Sequence, residues 1–89
     1  MKKKIAILGS TGSIGKKTFS ILNENRKDFD VVLLTTNKNL YEINKQIKIF
    51  KVKNIIVTSQ VHYHKAKIKY KNSNIKIFNN LNIIKNIFK

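Results

Sequence analysis

Ile5-Ala6-Ile7-Leu8-Gly9-Ser10-Thr11-Gly12-Ser13-Ile14-Gly15 decides how this 89-residue chain is read. Lys4 to Leu8 is a short, largely apolar run closed by Gly9, the pattern of a buried strand. Three glycines follow at intervals of three. From Ser13 the spacing changes, and Ile14, Phe19, Ile21 and Leu22 fall where a helix running to about Asn25 would present one apolar side. The order is therefore strand, tight turn, helix.

Working outward, residues 30 to 35, Asp-Val-Val-Leu-Leu-Thr, are β-branched and apolar without alternation. Such a run suits a strand covered by helices on both faces, as in a parallel sheet. Leu40, Ile43, Ile47 and Phe50 recur at the intervals of one helix face, with lysines and Glu42 on the other side. Asn54 to Thr58 is a third strand, and Ser59 is placed to cap a polar helical segment reaching Tyr70. Ile75 to Phe78 reads as a fourth strand. Leu81, Ile84 and Ile87 or Phe88 suggest a last helical turn or two. The order β-α-β-α-β-α-β-α predicts an α/β fold: a Rossmann-like three-layer domain with a parallel sheet, part of a doubly wound arrangement.

The glycine turn carries the chemistry. A glycine triplet is informative only between a strand and a helix, and that is where this one stands. Gly9 permits a sharp turn, Gly12 lets the backbone approach a pyrophosphate, and Gly15 lets the helix pack closely on the sheet. Amides at the helix start, reinforced by its dipole, would then hold phosphate oxygens, with the Thr11 and Ser13 hydroxyls adding hydrogen bonds. The alternative is a β-α turn that uses glycine for geometry alone. A P-loop is excluded, because Gly15-Lys16-Lys17-Thr18 has the wrong loop length and no hydroxyl directly after the first lysine.

The tip of the second strand sets the cofactor. NAD-binding domains usually place a carboxylate there for the ribose hydroxyls. Here the tip reads Thr35-Thr36-Asn37-Lys38-Asn39, while Asp30 lies at the opposite end. Lys38 would attract a 2′-phosphate, and Thr36, Asn37 and Asn39 offer neutral donors, so NADPH is expected over NADH. A lysine in any loop of so lysine-rich a chain is the competing explanation for Lys38.

Composition sets the bounds. At 42% apolar residues the chain has material for one small core, and with no cysteine it forms neither a disulfide scaffold nor a thiolate zinc site. The apolar run after Lys4 is too short for a signal peptide, no stretch is long enough to span a membrane, and a cytoplasmic, reducing setting is expected. The net charge of +15 raises a second function class, a basic nucleic-acid-binding module. All of its nineteen basic residues but Arg26 are lysine, however, and they are spread evenly, whereas base recognition favours the arginine fork. Nucleic acid is accordingly not the expected partner. His62 and His64 lack a third ligand nearby and read as solvated. Lys65, Lys67, Lys69 and Lys71 read as an amphipathic segment in preference to a nucleic-acid stripe.

Ile5 to Gly15, together with Phe29-Asp30-Val31-Val32-Leu33-Leu34 and Lys38-Asn39, resembles the amino terminus of 1-deoxy-D-xylulose 5-phosphate reductoisomerase. That family has a similar second strand and an Ala-Gly-Lys-Asn turn. The run from Tyr41 to Val57, with Gln46 and Lys48, is similar to its next helix and strand. The resemblance covers about residues 3 to 58 and is faint beyond. It implies residues 1–89 as an NADPH-binding Rossmann-like domain, with cofactor contacts on Thr11, Gly12, Ser13, Ile14, Asn37, Lys38 and Asn39. Asn37 stands at the family's glycine, where its tolerance of positive φ would preserve the turn. Arg26 and Val52 stand where prolines are common, which would loosen those connections.

The full-length family further implies a sugar-phosphate substrate, a divalent metal (Mg or Mn) and a homodimer. Its metal carboxylates, substrate-phosphate contacts and catalytic loop lie after the matched region, so no catalytic or metal-ligating residue is expected here. The resemblance then implies a cofactor-binding piece of an oxidoreductase of non-mevalonate isoprenoid synthesis, whether fragment, split subunit or decayed remnant. Another NADP-dependent dehydrogenase with a Gly-x-x-Gly-x-x-Gly turn, such as the aspartate-semialdehyde dehydrogenase type, is the alternative enzyme, and the Lys38-Asn39 turn argues against it.

Overall fold

A computed structural model describes residues 2–88. Four strands, β1 (Lys3–Ile7), β2 (Phe29–Thr36), β3 (Asn54–Val57) and β4 (Lys76–Phe78), form one parallel sheet in the order β1-β2-β3-β4. Helices α1 (Ser13–Glu24), α2 (Leu40–Phe50) and α3 (Gln60–Lys69) make the connections, and a 3-10 turn (Leu81–Ile83) leads into the short α4 (Ile84–Ile87). The alternation expected from the sequence is present throughout, with strand ends shifted by a residue or so.

Register explains the core. Ile7, Leu34, Ile55 and Ile77 are partners across all four strands and form one buried apolar row. Phe19 and Leu22 of α1, Ile43 and Ile47 of α2, and Ala66 of α3 pack into the same cluster. All three connecting helices therefore lie on one face. A strand order that never reverses requires this when each crossover has the same hand. The opposite face carries the fully buried Leu33 and Ile56. There Ile83, Asn86 and Ile87 line a crevice with Asn54, Lys76 and Phe78, so the second helical layer is the short carboxy-terminal one.

Two details differ from the helical spacing read above. In α1 the inward residues are Gly15, Phe19 and Leu22, whereas Ile14 and Ile21 are exposed. Each large side chain buried in α1 contributes about 2 kcal/mol, so two inward anchors and a glycine seat the helix. Phe19 also meets Phe50 edge to face, with centroids 5.4 Å apart, joining α1 to α2. In α2 the buried stripe includes Gln46 between Ile43 and Ile47.

The caps are local. Asn39 Oδ1 accepts the Glu42 amide at 3.0 Å and starts α2, and Ser59 caps α3 as expected. Helix α2 ends at Lys51 in the left-handed region, φ 54° and ψ 47°. The Val52 amide then donates back to the Ile47 carbonyl at 3.2 Å, a closure that proline at this position would forfeit. Val52 thus secures the connection that a missing proline was expected to loosen. Tyr70 is buried and its phenol donates to Asn44 Oδ1 at 2.8 Å. Burial pushes that phenol above the usual tyrosine value.

Candidate cofactor site

All strands being parallel, their carboxyl ends share one edge of the sheet, and the three connecting turns 8–12, 37–39 and 58–59 meet there. The glycines fulfil three separate steric roles. Gly9 has φ +67°, which a side chain rarely permits. A Cβ on Gly15 would sit 2.7 Å from Ser10 Cα and closer still to the Gly9 carbonyl oxygen, so the helix packs on the turn only without a side chain. At Gly12 a Cβ would meet nothing closer than the Gly9 oxygen at 3.5 Å. The protein itself does not need glycine at 12; a ligand approaching the backbone would.

The peptide nitrogens divide in the same way. Gly9 N–H donates to Thr35 Oγ1 at 2.7 Å, Ser10 N–H to the Thr35 carbonyl at 2.9 Å, and Gly12 N–H to the Gly9 carbonyl at 3.1 Å. The amides of Thr11, Ser13, Ile14 and Gly15 have no acceptor among the described residues. Gly12 is the N-cap of α1 and offers no side chain to them, and the first turn holds no acidic residue. Orphan donors at an uncapped helix start form a pre-arranged seat for anionic oxygens. An open crevice of about 640 Å³ lies against Ser13, Ile14 and Gly15, lined by Ala6 to Gly9, Gly12 to Gly15 and Thr18.

Of the residues that sequence assigns to the site, Gly12, Ser13 and Ile14 are exposed at this crevice, and Thr11 is half-buried in the glycine turn without lining it. Asn37, Lys38 and Asn39 form the neighbouring turn, all exposed. Asn37 does not take positive φ, since Lys51 is the one non-glycine residue that does among those described. The turn is held instead by Asn37 Oδ1 accepting from Thr58 Oγ1 at 3.0 Å and its carbonyl accepting the Ser59 amide at 3.1 Å. The side-chain oxygen of Asn37 is thereby directed to the β3–α3 connection. Thr36 is buried, not an exposed donor, with its hydroxyl 2.8 Å from that of Thr11.

Three supporting residues escaped sequence reasoning. Thr35 anchors the first two amides of the glycine turn. Gln46 Nε2 donates to the Ser10 carbonyl at 2.8 Å, tying α2 to that turn, while its Oε1 is buried without a partner among the described residues. Glu42 lies 3.9 Å from Lys16 Nζ and 4.0 Å from Lys45 Nζ, so the carboxylate nearest this edge is neutralised by lysine. A polar residue inside an otherwise apolar helix stripe was the available signal for Gln46. Among the described residues no three His, Asp or Glu side chains come together as metal ligands.

The family model described as 1-deoxy-D-xylulose 5-phosphate reductoisomerase matches residues 5–89. A reductoisomerase of that name from Pelagibacter ubique is 45% identical over 86 residues, covering 97% of this chain and 22% of its own length. One from Porphyromonas gingivalis is 44% identical over 64 residues, 72% of this chain and 17% of its own. The solved reductoisomerase from Zymomonas mobilis in complex with NADPH superposes with a TM-score of 0.80 at 24% identity, covering 89% of this chain and 21% of that one. That last likeness establishes the fold. The chain spans about a fifth of the length of the curated relatives it matches.

Proposed function

The chain belongs to the 1-deoxy-D-xylulose 5-phosphate reductoisomerase family, and from that premise we propose that it is the amino-terminal, NADPH-binding portion of such an enzyme. In the whole enzyme the family resemblance implies isomerisation of a deoxyxylulose phosphate and its reduction to 2-C-methyl-D-erythritol 4-phosphate, in a homodimer. The observation that carries the reading for this chain is the set of amides at Thr11, Ser13, Ile14 and Gly15 with no acceptor among the described residues, beside a Gly12 whose surface is open.

When bound, NADPH supplies the hydride. The residues of this chain bind and orient it. The amides of Thr11, Ser13, Ile14 and Gly15 would receive the diphosphate, with the α1 dipole adding to their pull. The Ser13 and Thr11 hydroxyls lie at the same turn, and Lys38 offers its ammonium to a ribose 2′-phosphate with Asn39 beside it. No carboxylate stands on the 37–39 turn to repel that phosphate. The divalent metal of the full-length family has no donor set among the described residues.

Calorimetric titration of the chain with NADPH tests this, alongside Gly12→Val, which fills the open surface. Binding by the unsubstituted chain and its loss in the variant are expected. No helix of the described residues is long and apolar enough to cross a membrane. A nucleic-acid module would instead bind oligonucleotides with steep salt dependence and be indifferent to Gly12→Val.

A further inference from the structure

Thr36 closes β2 with 3% of its surface exposed, and its hydroxyl lies between the two turns of the cofactor site. Its Oγ1 accepts the Asn39 amide at 3.2 Å and stands 2.8 Å from Thr11 Oγ1. A threonine hydroxyl owns one proton and two lone pairs. An amide can only donate, so Asn39 occupies a lone pair of Thr36 and leaves its proton to be placed. Among the described residues the sole other partner of that hydroxyl is Thr11 Oγ1. A buried proton left without an acceptor is costly. The hydrogen bond therefore runs from Thr36 to Thr11.

The consequence falls on Thr11. With its oxygen accepting from Thr36, the Thr11 proton turns away from Thr36, on a side chain that is half-buried at the glycine turn. Resting on the cofactor reading above, we propose that Thr36 is a positioning residue. It fixes the Thr11 hydroxyl as a donor to an anionic diphosphate oxygen, and through Asn39 it links that grip to the turn bearing Lys38. Thr36 does not touch the dinucleotide. Its carbonyl accepts the Thr58 amide at 3.0 Å, which holds the residue in place independently of its side chain.

The test is a double-mutant cycle on the full chain, with NADPH affinity read by calorimetry and melting temperature read in parallel. Thr36→Val keeps the shape and deletes the hydroxyl; Thr11→Val deletes the hydroxyl it directs. Each single variant is expected to weaken NADPH about tenfold, the scale of one hydrogen bond to a charged group. The double variant is expected to lie within about twofold of either single one, because both remove the same donor. Thr36→Ser, which restores the hydroxyl, is expected to recover affinity to within about threefold. Losses that multiply in the double variant, or a Thr36→Ser protein that melts normally yet binds as weakly as Thr36→Val, overturn the inference while leaving the cofactor reading intact. Absence of NADPH binding by the unsubstituted chain overturns that reading and this inference with it. Should Thr36→Val fail to fold, Thr36→Ala takes its place in the cycle and is judged by the same criteria.

Discussion

Gly15 on α1 and Gly9 in the turn after β1 touch so closely that a single methyl group between them would displace backbone. Gly15→Ala is therefore expected to cost about 1–3 kcal/mol, the range for overpacking a site that cannot relax. Gly12→Ala, by contrast, has room at 3.5 Å and φ −78°. Its melting temperature should stay close to that of the parent while NADPH binding weakens. Thermal denaturation paired with titration of both variants checks the separation: stability moves with Gly15, affinity with Gly12.

Lys38 is exposed on the turn after β2, with no carboxylate adjoining it in that turn. Lys38→Glu is expected to weaken NADPH by tenfold or more and to change NADH far less, since charge reversal acts on the 2′-phosphate that only NADPH carries. Equal losses for both cofactors would remove Lys38 from the site. Raising the ionic strength should narrow the preference of the unsubstituted chain, as expected for an exposed charge.

Tyr70 couples α3 to α2 through Asn44, and Tyr70→Phe should cost about 1 kcal/mol at neutral pH by deleting that hydrogen bond. The pH dependence has a definite sign. The folded chain holds the phenol neutral above the ordinary tyrosine value near 10.0. The contribution is therefore complete below that value and lost as the pH rises through the elevated one, where the unfolded chain has already released its proton. Denaturant unfolding of both proteins from pH 8 to 11 should show the gap between them shrinking toward the alkaline end. A constant gap would refute the assignment.

Lys51 occupies the left-handed conformation that glycine adopts without cost. Lys51→Gly is expected to stabilise the chain by about 0.5–1 kcal/mol, the gain from relieving strain being partly offset by the freer unfolded state. Urea midpoints measure it, and an unchanged or lower midpoint would contradict the prediction.

Much of this was legible in the chain, for identifiable reasons. Ile5 to Leu8, Val31 to Leu34 and Asn54 to Val57 are short β-branched or apolar runs, and Leu40, Ile43, Ile47 and Phe50 keep a helix period, so strands and helices followed from periodicity. The three glycines fell at the positions where a turn, an open surface and a tight packing contact each need one. The orientation of α1 was misread because a glycine, which carries no hydropathy, takes an inward position that Ile14 was expected to hold. Thr35 and Thr36 read as ordinary strand formers, and only register reveals that the Thr35 hydroxyl anchors the glycine turn and that of Thr36 stitches two turns together. Positive φ at Lys51 leaves no trace in a residue type that rarely adopts it.

Among the described residues β1 has a neighbour on one side only, and a rim left open in this way displays a row of peptide groups that invites strand pairing. Lys2, Lys3 and Lys4 stand exposed at the start of that rim. Bringing two such rims together would set ammonium against ammonium, a repulsion that discourages stacking between copies. Wherever that rim stands open, the lysine cluster, unremarkable in so basic a composition, sets like charge against like and opposes pairing between copies.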